Sequence, residues 1–101
     1  MRYLFISALL LLASATHAQQ KFTLNGYVKD ADNGEELIGV TVYVPQLKAG
    51  TVTNAYGFYA LSLPAGVYDV QFNYIGYEQQ RATFTLSADV SHHIALRTAP
   101  T

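Results

Sequence analysis

From Phe22 to Arg97 apolar and polar residues alternate in short runs that Gly, Pro, Asn and Asp interrupt. No stretch repeats apolar residues at i, i+3, i+4 and i+7 for more than a turn, so the pattern predicts strands rather than helices. In the first run Phe22, Leu24, Gly26 and Val28 share one face and Thr23, Asn25, Tyr27 and Lys29 the other, because successive strand side chains point to opposite sides. A polar loop follows, in which Asn33-Gly34 is a strong turn dipeptide. Val40, Val42 and Val44 then face inward, Thr41 and Tyr43 outward, and Pro45 closes the run. Residues 50–54 and 58–63 predict a third and a fourth strand around an Asn54–Gly57 turn, with Tyr59, Leu61 and Leu63 in phase. Pro64-Ala65-Gly66 turns the chain into its longest run, where Tyr68, Val70, Phe72 and Tyr74 face one way. Gly76, set between Ile75 and Tyr77, marks a bulge or bend that redirects the chain, its missing Cβ letting the strand twist or another backbone approach. Residues 81–86 and 90–97 predict the last two strands.

Seven short strands separated by turn residues, each with one wet face, predict an all-β domain: a seven-stranded antiparallel Greek-key β-sandwich. What precedes it has a different pattern. Met1-Arg2 gives a basic start, Tyr3 to Ala15 an apolar core too short to span a bilayer, and Thr16 and Ala18 are small residues suited to a cleavage site. Residues 1–18 are therefore expected to be a cleaved signal peptide, with residues 19–101 as the domain. The sequence contains no cysteine, which predicts neither a lipid anchor on the mature chain nor a disulfide framework. Packing and hydrogen bonds must then stabilise a domain of about 80 residues, a size that buries only about 60% of its unfolded surface.

Charge narrows the partners. A formal net charge of −1, with both signs thinly scattered, supplies no basic face for nucleic acid and no polybasic segment for anionic lipid. Recognition has to come from shape, aromatic rings or strand edges. The loop containing Asp30, Asp32, Asn33, Glu35 and Glu36 lacks the glycine spacing and flanking helices of a calcium hand, and a solvated turn accounts for it. His92 and His93 are adjacent and point to opposite faces of a strand, so they do not grip one metal, and no cofactor is expected. No Gly-x-Ser-x-Gly motif and no phosphate-cradling glycine loop is present, which argues against an enzyme. Tyr27, Tyr43 and Tyr56 fall on outward phases or in turns, and Tyr77 follows the glycine bend; these four are the candidate interaction surface for a protein domain or for sugar rings.

Taken in order, Gly26-x-Val28-x-Asp30, Asn33-Gly34-Glu35-x-Leu37-x-Gly39-Val40-x-Val42-x-Val44, Gly50-Thr51-x-Thr53-Asn54-x-x-Gly57-x-Tyr59, Leu63-Pro64-Ala65-Gly66-x-Tyr68 and Tyr74-Ile75-Gly76-Tyr77-Glu78 form a set of blocks over residues 22–97. The set resembles the carboxypeptidase-regulatory-like domain, in the version found at the N-terminus of SusC-like TonB-dependent receptors of Bacteroidetes. Asn54 stands where the family usually has aspartate and Asn33 where threonine is common, and both keep turn chemistry. The resemblance implies a transthyretin-like sandwich without catalytic residues, held in the periplasm at the outer membrane. The partner it implies is an envelope protein, either the receptor's plug and barrel or an associated lipoprotein, with a glycan as the alternative. The sequence carries no TonB-box segment, plug or barrel strands, so by itself it is not expected to transport anything. A free-standing secreted or periplasmic binding module is the second reading of the chain.

Overall fold

A computed structural model of the chain describes residues 20–100, and the leader expected at residues 1–18 lies outside them. The first sheet is built on β1 (Lys21–Asp30), the longest strand. On one side β1 pairs antiparallel with β4 (Phe58–Pro64), from Lys21 opposite Pro64 to Tyr27 opposite Phe58. Its other side pairs with β7 (Val90–Ser91) and β8 (Ile94–Leu96). The second sheet runs in the order β3 (Ala49–Val52), β2 (Thr41–Val44), β5 (Gly66–Asn73), β6 (Gln80–Leu86), antiparallel throughout. The sequence thus folds into the β-sandwich that its alternation predicts.

The pairings of β1 with β7 and with β8 are parallel, because of where the chain crosses between sheets. β6 ends at the end of the sandwich where β1 begins, and the short Ser87–Asp89 connection starts β7 there, so the last strand runs beside the first in the same direction. The expected seventh strand, residues 90–97, is also divided in two by His92 and His93. The third strand is shifted to Ala49–Val52: Thr53 N–H still donates to the Val40 carbonyl, but Thr53 Oγ1 rather than its carbonyl accepts the Val40 N–H, with the side chain turned inward.

The inward phases assigned from sequence form the core. Leu24, Val28, Tyr59, Leu63 and Leu96 come from the first sheet, and Val42, Val44, Tyr68, Val70, Phe72, Phe84 and Leu86 from the second. Tyr59 meets Phe72 edge-on across the layers, ring centroids 5.5 Å apart. Gly26 sits in this inward row for a steric reason: a Cβ there would lie 1.8 Å from the carbonyl oxygen of His92. That carbonyl turns into the sandwich, accepts the Tyr59 hydroxyl at 2.6 Å, and is held in place by His92 N–H donating to the Asn25 carbonyl at 2.7 Å.

Gly76 does bend the chain, but as a turn rather than a bulge. Tyr77 N–H donates to the Tyr74 carbonyl at 3.0 Å, and Gly76 adopts φ +86°, the left-handed region that favours glycine. A Cβ at this position would meet nothing within 4 Å, so the close backbone approach considered for it is absent. The turn leaves Ile75 at the tip, 97% exposed, and folds Tyr77 back toward the first sheet.

Candidate interaction surface

The outer face of the first sheet carries an aromatic row. Tyr27 on β1 stands directly opposite Phe58 on β4, and their rings meet edge-on with centroids 5.1 Å apart. On the other flank lies the His93 ring, 5.7 Å from that of Tyr27. The interruption between β7 and β8 explains its position. With no backbone carbonyl opposite it there, Tyr27 N–H donates to His93 Nδ1 at 3.1 Å, which places the imidazole proton on Nε2 and leaves a donor directed away from the strand. Beside this row Tyr27, Lys29, His93, Ile94 and Ala95 line an open concavity of about 360 Å³. The small side chain of Ala95, paired with Lys29, makes the depression.

The four candidate tyrosines do not share one face. Tyr27, 39% exposed, belongs to this row. Tyr43 is half-buried on β2, on the outer face of the opposite sheet. Tyr56 is 69% exposed in the turn between β3 and β4. Tyr77 is half-buried, its ring 5.5 Å from that of Tyr74 and its hydroxyl donating to Asp30 Oδ2 at 2.5 Å. Strand phase identifies which residues point outward, but not which sheet they point outward from. Strand phase does not single out Phe58 and His93, because each becomes part of the row only through long-range pairing with β1.

The Tyr77–Asp30 contact ties two connections together. Asp30 Oδ1 accepts the N–H groups of Asp32 at 2.7 Å and Asn33 at 3.1 Å, so one carboxylate caps the loop after β1 while its other oxygen holds the turn after β5. The Tyr77 hydroxyl, then the two backbone N–H groups, hold the Asp30 carboxyl below its ordinary range. The same bond to a carboxylate, with burial behind it, pushes the Tyr77 hydroxyl up to about 12. The acidic loop is therefore organised by its own backbone, and no group of His, Asp or Glu among the described residues is placed to hold a metal ion. A second open groove, of about 400 Å³, lies at this end between Gly39, Thr41, Tyr74 and Tyr77.

Comparison with known proteins agrees with this architecture. The sequence matches the CarboxypepD_reg-like domain family over residues 24–101. The chain belongs to that family. This CarboxypepD_reg-like domain is 30% identical over 83 residues to TonB-dependent receptor P3 of Formosa agariphila, a match that covers 82% of the chain and 8% of the receptor. The chain thus spans only a small part of that relative's length. Among solved structures, the domain superposes on part of a type II cohesin–X-dockerin complex from Acetivibrio cellulolyticus with a TM-score of 0.60, 21% identity, and coverage of 72% of this chain and 52% of that one. It also superposes on 5-hydroxyisourate hydrolase of Klebsiella pneumoniae with a TM-score of 0.58, 26% identity, and coverage of 79% and 91%.

Proposed function

We propose that this domain is a non-catalytic protein-interaction module of the bacterial envelope, the N-terminal extension of a TonB-dependent outer-membrane nutrient receptor. Residues 1–18 deliver it across the inner membrane as a cleaved signal, and the mature domain works in the periplasm beside the receptor's plug and barrel. The observation that carries this reading is the match of most of the chain to a small part of TonB-dependent receptor P3. The side-chain chemistry is consistent with it. Among the described residues the two histidines are engaged by the fold: His93 Nδ1 accepts a backbone N–H, and His92 packs edge-on against Phe84 with centroids 4.9 Å apart.

A segment exchange tests the reading. Residues 19–101 replace the matched segment of receptor P3, and growth that depends on that receptor is measured. Retained growth is the expected result; lost growth with the exchanged receptor still inserted in the outer membrane refutes it. N-terminal sequencing of the exported chain is expected to begin at Gln19.

The aromatic row favours a second reading, a free-standing protein- or glycan-binding module. Tyr27 and Phe58 offer apolar ring surface, and Lys29 and His93 Nε2–H offer donors beside it, a combination suited to stacking a sugar ring and bonding its hydroxyls. Titration of the mature domain with neutral and acidic oligosaccharides, followed through the Tyr27 and His93 amide resonances, decides it. Unmoved resonances reject the glycan.

A further inference from the structure

The two ends of the sandwich differ. Lys21, opposite Pro64, lies at one end, and β1 carries the chain about 30 Å to the other at about 3.3 Å per residue. At that far end three separate connections each present a large apolar side chain to solvent: Ile38 after β1, 55% exposed, Tyr56 between β3 and β4, and Ile75 between β5 and β6. Single exposed apolar residues are ordinary, whereas several on converging loops are a form that interaction surfaces take. The loops do converge. Gly39 N–H donates to the Thr53 carbonyl at 3.0 Å, a Cβ on Gly39 would reach the Tyr74 ring at 4.0 Å, and the 400 Å³ groove lies between them.

The C-terminal segment emerges at the same place. Glu78 N–H donates to the Arg97 carbonyl at 2.8 Å, Tyr77 bridges Thr98, and Ala99 N–H donates to the Gly76 carbonyl at 2.9 Å, so residues 97–99 run as a short ladder against 76–78 and leave beside Ile75. The connections at this end carry the exposed carboxylates Asp32, Glu35, Glu36 and Glu78, against the exposed cations Lys29 and Arg97.

We propose, resting on the receptor reading above, that this end is the docking surface for the receptor polypeptide that follows residue 101. That polypeptide seats an apolar side chain in the groove beside Ile75 and sets a Lys or Arg against the exposed carboxylates of the connections at this end. Because the chain is delivered to the surface it covers, docking needs little loop closure and fixes the sandwich at a defined angle to the rest of the receptor.

The exchanged receptor supplies the test, since residues 20–100 form a sandwich around their own core. A photo-crosslinking phenylalanine derivative is placed at Ile75, and in a control at Leu47 near the opposite end. Irradiation is expected to join position 75, and not 47, to receptor residues C-terminal to the graft. The loop 36–39 is expected to gain amide-exchange protection over the free domain, and Ile75→Ser is expected to lose that gain. Receptor-dependent growth with no cross-link from position 75, or with equal product from both positions, overturns the docking surface and leaves the receptor reading intact. Lost growth with the receptor inserted overturns the receptor reading, and the docking surface with it.

Discussion

Gly26→Ala tests the least visible contact in the sandwich. The added methyl would stand 1.8 Å from the His92 carbonyl oxygen and 2.6 Å from its carbon, well inside any real Cβ contact, so β1 and the His92 segment must separate by more than an ångström. Separation breaks the His92–Asn25 backbone bond, 2.7 Å, and pulls the carbonyl from the Tyr59 hydroxyl, 2.6 Å, whose residue is 1% exposed. A lost backbone bond costs about 1 kcal/mol, and a buried phenol left unpaired about 1–3 kcal/mol. Overpacking strain adds about 1–3 kcal/mol, partly offset by the about 0.5–1 kcal/mol that alanine gains over glycine in a strand. The net expectation is about 3–5 kcal/mol, a large share of the about 4–12 kcal/mol that a domain of this size has in total. Urea unfolding of the mature domain measures it. Tyr59→Phe, which removes the hydroxyl and keeps the space, is expected to cost about 1–2 kcal/mol. In the double variant that cost is expected to shrink, because the bond is already broken. A Gly26→Ala domain within about 0.5 kcal/mol of the parent, where ordinary surface substitutions fall, refutes the steric account, and full additivity with Tyr59→Phe refutes the coupling.

Three further outcomes follow from the core and the connections. Phe72→Ala removes a fully buried ring that packs on Tyr59 and is expected to cost about 3–5 kcal/mol in the same assay; melting like the parent contradicts the assigned core. Thr53→Val keeps the shape but leaves the Leu37 carbonyl and the Val40 N–H, bonded to Thr53 Oγ1 at 2.6 and 2.9 Å, without a partner, and is expected to cost about 1–3 kcal/mol. Tyr77→Phe flattens the pH dependence of stability on both limbs. The raised Tyr77 hydroxyl stabilises fully below its ordinary value near 10, and that stability is lost as pH rises toward about 12. The lowered Asp30 carboxyl stabilises above its ordinary value near 4, and that stability is lost as pH falls below it. Parent and variant with superimposable pH–stability curves would contradict the contact.

Period-two alternation was enough to read the inward rows of β1, β2, β4, β5 and β6, because burial on one face is what the alternation records. It could not read the parallel pairing of the last strand, which depends on the end at which β6 stops. Nor could it read Gly26, whose phase is inward but whose reason is a carbonyl 66 residues further along the chain. Tyr77 shows the same limit at the candidate surface. As a tyrosine after a glycine turn it looks available, yet its hydroxyl belongs to Asp30, 47 residues away.

What recognition this domain performs follows from where its polar chemistry is engaged. Asp30 and Thr53, the buried polar residues, bond to backbone groups of their own connections, and among the described residues no buried side-chain nitrogen or oxygen lacks a partner. Their effect is to hold the loops after β1, β3 and β5 in fixed relation. A loop end made rigid in this way carries Ile38, Tyr56 and Ile75 to solvent without the conformational freedom that would otherwise oppose docking. Had the same residues stood on mobile loops, ordering each of them on contact would cost about 0.5–1.5 kcal/mol and the patch would bind weakly. Loosening the loops while sparing the apolar residues should then weaken docking: Asp30→Asn in the exchanged receptor is expected to reduce the position-75 cross-link, although Asp30 is buried and touches nothing outside the domain. An unchanged yield would mean that the apolar side chains dock without the rigid frame beneath them.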